Sequence, residues 1–222
     1  LTHVTISNNT AALEGGGMYL WDSNPILTHV TISNNHTVVL FGGGMYLYLS
    51  NPTLTHVTIS NNTAALEGGG MCLISSNPTL THVTITGNTA DYGGGMYLLA
   101  SYPILNNVII SENTADLYGG GMRIAESEFT MQYVTFNNNE CGVAGSAIDL
   151  NNSDLIITNS TIYGHSSQQI QTLMYLSGEN QTSVIITNSI IWGNLSYEIG
   201  PDSPIITYSN ICIPYFTYNS II

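Results

Sequence analysis

Apolar residues along this chain recur at a fixed interval and alternate with polar ones. Leu1, Val4 and Ile6 return as Leu27, Val30 and Ile32, then as Leu54, Val57 and Ile59, then as Leu80, Val83 and Ile85. The segment from residue 1 to 18 reappears letter for letter at 54 to 71. Alternation of this kind predicts short, half-buried strands. A repeat of about 25 to 29 residues predicts a solenoid in which each unit buries its apolar side against its neighbours.

Two further columns sharpen that expectation. Three residues after each Ile6-type position stands an amide, namely Asn9, Asn35, Asn62, Asn88, Asn113 and Asn139, then His165, then Asn194. Stacked about 4.8 Å apart, such amides can bond the copies above and below, which predicts an internal Asn ladder. The residue before each is mostly Asn or Gly, the preference of a turn with positive φ. A second strand signal follows in every unit, GGGMYL at 15 to 20, 42 to 47 and 93 to 98, with GGGMCL and GGGMRI as variants. Its Met and Leu should point inward and its Tyr outward, and the SNP at 23 to 25, 50 to 52 and 76 to 78 should close the coil.

The same L-x-x-V-x-I-x-x-N spacing also satisfies a leucine-rich repeat. That architecture often places a helix after its Asn, whereas here three consecutive glycines follow, each unfavourable in a helix by about 1 kcal/mol. The pattern therefore predicts an all-β, right-handed parallel β-helix of about eight coils in a single domain over residues 1 to 222. Residues 1 to 130 form near-identical coils and 131 to 222 degenerate ones. Leu1 falls in mid-repeat, which suggests a piece of a longer protein.

The paired motifs resemble a known group. I-x-x-N, with Phe136-x-x-Asn139 as its F-x-x-N form, and GGGM, with Gly145-Ser146-Ala147-Ile148 as its G-S-A-I form, are similar to the signature repeats of the polymorphic outer membrane proteins. More broadly they resemble the pectin-lyase-like β-helices of secreted and cell-surface bacterial proteins. The resemblance spans about residues 1 to 194. It implies an extracellular or cell-surface location and a scaffold shared by adhesins, passenger domains and polysaccharide-cleaving enzymes.

Charge changes the picture of partners. Only 7% of the residues are charged, Arg123 is the single basic one, and fourteen acids bring the formal net charge to −13. Nucleic-acid binding needs several Lys or Arg on one face and is excluded. No apolar run reaches the ~20 residues of a membrane-spanning helix. Cys72, Cys141 and Cys212 are too sparse for a disulfide framework or a zinc motif.

Candidate chemistry lies in outward columns. His3, His29, His56 and His82 form one, expected on the outward side of the first strand and continued by Asn107, Tyr133, Asn159 and Asn188. Four imidazoles at strand spacing can attract a soft divalent metal, but no carboxylate or Cys column joins them to complete a shell, so no metal site is assigned. Thr5, Thr31, Thr58 and Thr84 run beside them; their His-x-Thr-x-Ser setting argues against an ice-binding array. Tyr19, Tyr46, Tyr97 and Tyr175 share a column with Cys72, Arg123 and Asp149, and this stripe suits a glycan or protein surface. Arg123 and Asp149, one coil apart with Asp116, Glu126 and Glu128 nearby, are the only place that resembles the calcium and arginine centre of a polysaccharide lyase. Such an enzyme needs converging carboxylates and a base, and one arginine with scattered acids supplies neither, so no cofactor is expected, with Ca²⁺ as the alternative. Sequons at Asn8, Asn61 and Asn159 are candidate glycosylation sites.

The reading is a non-catalytic extracellular β-helix, structural or adhesive, whose partners are glycan or protein surfaces or copies of itself. The alternatives are a β-helix lyase or hydrolase and a filament subunit stacking end to end.

Overall fold

The computed structural model describes residues 1–170, 172–177 and 182–192, together with the backbone of the strands at 198–199, 205–207 and 210–212. The first coil contains four short strands, β1 (Thr5–Ser7), β2 (Thr10–Ala11), β3 (Met18–Trp21) and β4 (Ile26–Thr28). Each pairs in parallel with its copy in the next coil, and repetition builds four parallel sheets of nine, seven, eight and eight strands among the described residues. Thr5 pairs with Thr31, Thr31 with Thr58 and Thr58 with Thr84. The column then runs through Ile109, Thr135 and Thr161 to Ile190. Seven turns thus separate Thr5 from Ile190, a rise of about 34 Å at strand spacing. No helix occurs among the described residues, which removes the leucine-rich-repeat alternative.

Strands stay short because left-handed residues turn the chain between them. Asn8, Asn34 and Asn61 leave the first sheet at φ 58°, 56° and 54°, as their residue types predicted. The histidine column departs from expectation. His3, His29, His56 and His82 lie just before the first-sheet strands, at φ 53–54°. They occupy corners, where a short polar-tipped side chain tolerates the left-handed region better than a β-branched one.

The glycine triplet has a steric explanation. Gly42 takes φ 67°. A Cβ on Gly43 would lie 2.5 Å from the Thr63 carbonyl oxygen, and one on Gly44 would lie 2.5 Å from the Gly70 carbonyl and 2.9 Å from Asn62 Nδ2. The second and third glycines therefore let adjacent coils approach backbone to backbone and leave room for an amide.

That amide belongs to the interior ladder. Asn35 Nδ2 donates to Asn62 Oδ1 at 3.0 Å and to the Ile6 carbonyl at 3.0 Å, while the Asn35 backbone N–H also donates to Asn62 Oδ1 at 2.9 Å. The pattern repeats from Asn62 to Asn88, Asn88 to Asn113 and Asn113 to Asn139. Both amide hydrogens and the oxygen of each rung from Asn35 to Asn113 are thereby used, as burial of a carboxamide requires. At the end of the run the Asn139 N–H donates to His165 Nδ1 at 3.2 Å. Burial drives His165 down to about 4, against the raising effect of the Phe136 and Asn139 backbone. The rung expected at Asn194 lies outside the described residues.

A second ladder was not anticipated. Ser50 N–H donates to Ser76 Oγ, Ser76 N–H to Ser101 Oγ, and Ser101 N–H to Ser127 Oγ, each at 3.0 Å. Each hydroxyl donates in turn to the carbonyl two residues earlier, as Ser50 does to Tyr48. Between the two ladders the Leu27, Val30, Ile32, Met45 and Leu47 columns fill the interior and form one continuous apolar core.

Candidate functional site

Three groups of outward side chains carry chemistry. The first is the corner histidine column. The rings of His3 and His29 lie 4.9 Å apart, those of His29 and His56 5.0 Å and those of His56 and His82 4.9 Å, with interplanar angles of 18°, 18° and 3°. All four are exposed. The corner continues upward as Asn107 and then as Tyr133, at φ 54° in both cases. Beside it on the first sheet runs the threonine column, and farther along that sheet Ser111 donates to Thr86 Oγ1.

The second group is the outer side of the third sheet. Tyr19, Tyr46, Cys72, Tyr97, Arg123, Asp149 and Tyr175 stand in register, one per coil. They point outward, but the column is largely covered. Tyr19 is 44% exposed, whereas Tyr46 and Tyr97 are only 7% and 9% exposed. The cover comes from the residue preceding each glycine triplet, the bridged series Glu14, Phe41, Glu67 and Tyr92, which sequence reasoning did not place. Phe41 and Tyr92 pack with Tyr48, Ile74 and Leu99 around Tyr46, Cys72 and Tyr97 as a satellite apolar cluster. An open tyrosine stripe is thus limited to Tyr19, with Tyr175 partly exposed.

Within this group Arg123 and Asp149 meet, as their one-coil separation predicted. Arg123 Nη1 lies 3.3 Å from Asp149 Oδ2. The guanidinium sits over the Tyr92 ring at 4.6 Å and over Tyr118 at 5.5 Å, a cation–π arrangement. Asp149 is 1% exposed. Burial pushes its carboxyl up to about 7, and Arg123 pulls in the opposite direction. Glu67 is raised by burial too, while a bond from the Tyr97 hydroxyl and the charge of Arg123 lower it. Desolvation raises the Cys72 thiol well above its ordinary value and takes Cys141 up to about 12, which leaves both thiols protonated.

The other carboxylates do not converge on this pair. Asp116 lies beside Asp91. Glu126 and Glu128 line a separate cleft of about 390 Å³ with Tyr102, Asn152 and Asp154. Among the described residues, no group of three or more His, Cys, Asp or Glu side chains is placed to hold a metal ion. The sequon residues Asn8 and Asn61 are exposed at corners, Asn159 is partly exposed, and Asn35 is buried in the ladder.

A parallel coil, four sheets and two interior polar ladders define a β-solenoid. Residues 51–178 match the family model of the right-handed β-helix region, and the chain belongs to that family. Neither the curated proteins nor the solved structures give a match. No helix among the described residues is long and apolar enough to cross a membrane.

Proposed function

We propose that this chain is a non-catalytic rod segment of an extracellular or cell-surface protein, which presents the same weak contact to a glycan or protein surface once per coil. The observation that carries this reading is the register. Outward side chains such as Thr5, Thr31, Thr58 and Thr84 recur residue for residue at coil spacing. Ladders with no slack hold that spacing from within. Repetition of a weak contact along a stiff support raises overall avidity without any single deep pocket.

The enzymatic alternative finds less support in the geometry. Arg123 is held against two tyrosine rings and Asp149 is buried beneath it. This describes a structural ion pair, which substrate would have to displace. Binding should therefore be compared on immobilised glycan and protein panels between the intact chain and a variant lacking residues 54–79. That deletion removes one coil and joins Thr53 to Leu80, the in-register partner of Leu54. A disproportionate loss of binding, with no cleavage of acidic or neutral glycans in the presence of Ca²⁺, is the expected result. Release of glycan products that disappears on Arg123→Ala or Asp149→Ala would overturn the reading.

A further inference from the structure

Beyond the scaffold reading, we infer that the stacked corner histidines form bidentate binding sites for soft divalent transition metals, with each ion held by two imidazoles of adjacent coils. Neighbouring rings along His3, His29, His56 and His82 are 4.9–5.0 Å apart and nearly parallel. Two nitrogens bound to one ion at 2.0–2.1 Å lie at most about 4 Å apart. Exposed rings therefore need only tilt toward one another at their outer edges to share an ion, and at these corners nothing packs over them. Water completes the coordination, in keeping with the absence of any three-ligand cluster among the described residues. Imidazole favours Cu²⁺, Ni²⁺ and Zn²⁺ over the hard cations, with Cu²⁺ strongest among them.

Adjacency is the essential element, because it makes the second nitrogen an intramolecular ligand at high effective concentration. Coil stacking supplies it, since the four histidines are separated in sequence by whole repeats. The other two histidines take no part. His36 belongs to a different sheet, and His165 is buried in the Asn ladder.

The chain itself shows which substitution the corner accepts, because Asn107 occupies the same column at φ 54°. Two double variants keep the same number of histidines and the same composition. His3→Asn with His29→Asn leaves the adjacent pair His56 and His82. His3→Asn with His56→Asn leaves His29 and His82, which are two coils apart. Titration calorimetry with Ni²⁺ and with Cu²⁺ should show the first variant binding one ion about tenfold or more tightly than the second. Equal affinity of the two would overturn the inference, as would undiminished binding when all four are changed to Asn. In the His3→Asn, His29→Asn variant, electron paramagnetic resonance of bound Cu²⁺ should count two imidazole nitrogens per ion, and a count of one would refute the site independently of the affinities.

Discussion

Replacing Asn88 by Ala tests the vertical tie that holds the coils together. Asn88 Oδ1 accepts from the Asn62 backbone N–H at 2.9 Å and from Asn62 Nδ2 at 3.0 Å. Its own Nδ2 donates to the Ile59 carbonyl and to Asn113 Oδ1, both at 3.0 Å. Asn113 Oδ1 still receives the Asn88 backbone N–H after the change, and the Asn62 amide keeps its bond to the Ile32 carbonyl, so the groups left without an acceptor are the Asn62 backbone N–H and one hydrogen on its Nδ2. At about 1–3 kcal/mol for each buried group left unpaired, and with some relief from entering water, Asn88→Ala should destabilise the chain by about 2–5 kcal/mol. That matches the roughly 2–5 kcal/mol expected for Ile85→Ala in the apolar column beside it. Because a solenoid can open locally, amide hydrogen exchange read at Asn62 is the primary assay, with urea unfolding as support. Asn61→Gly is the control. It faces outward at a corner where the next coil already carries Gly87, and it should shift stability by no more than about 0.5 kcal/mol. Full protection of the Asn62 amide in Asn88→Ala, together with an unchanged urea midpoint, would show that the ladder does not bind the coils.

Three further expectations follow from the same geometry. Gly44→Ala drives a Cβ to within 2.5 Å of the Gly70 carbonyl, and forced separation of two coils should lower stability by about 2–3 kcal/mol in thermal or urea unfolding. Ser101→Ala removes the acceptor of the Ser76 N–H and the donor to the Leu99 carbonyl; a loss of about 1–2 kcal/mol is expected, and none at all would demote the serine ladder to coincidence. The pH dependence has two opposed parts. With a folded value of about 7 against the ordinary 3.8, Asp149 contributes stability that is present below about pH 4 and lost as pH rises toward 7, because the native state alone keeps the proton in that window. With a folded value of about 4 against 6.5, His165 contributes stability that is present above 6.5 and lost as pH falls toward 4. Between about pH 4 and 6.5 the two slopes oppose and nearly cancel, so urea midpoints should stay nearly level in the unaltered chain, rise with pH in Asp149→Asn and fall with pH in His165→Asn; unchanged slopes would refute these assignments.

Most of the architecture was legible in the residues because a parallel coil repeats its constraints. Every turn must place an apolar residue under the last, an amide under an amide and a left-handed corner under a corner, so the same letters recur in columns. The Ile6, Asn9 and Tyr19 columns, the positive φ at Asn8 and the pairing of Arg123 with Asp149 all follow from that periodicity. The serine ladder has the same periodic origin, since Ser50, Ser76, Ser101, Ser127 and Ser153 recur at coil spacing, but a serine beside a turn is common enough that only the hydrogen bonds distinguish a ladder from a loop residue.

What the alphabet of one strand does not contain is the position of segments that lie across it. Only the folded chain shows Glu14, Phe41, Glu67 and Tyr92 swinging over the outer side of the third sheet and burying Tyr46 and Tyr97, because that cover depends on the path of the loop between two sheets. The histidines likewise read as strand residues by alternation, yet they stand at a corner, where the turn sets their direction and stacks their rings in the open. Periodicity determines which residues share a column; the tertiary path of the turns decides which columns meet solvent and what they can touch.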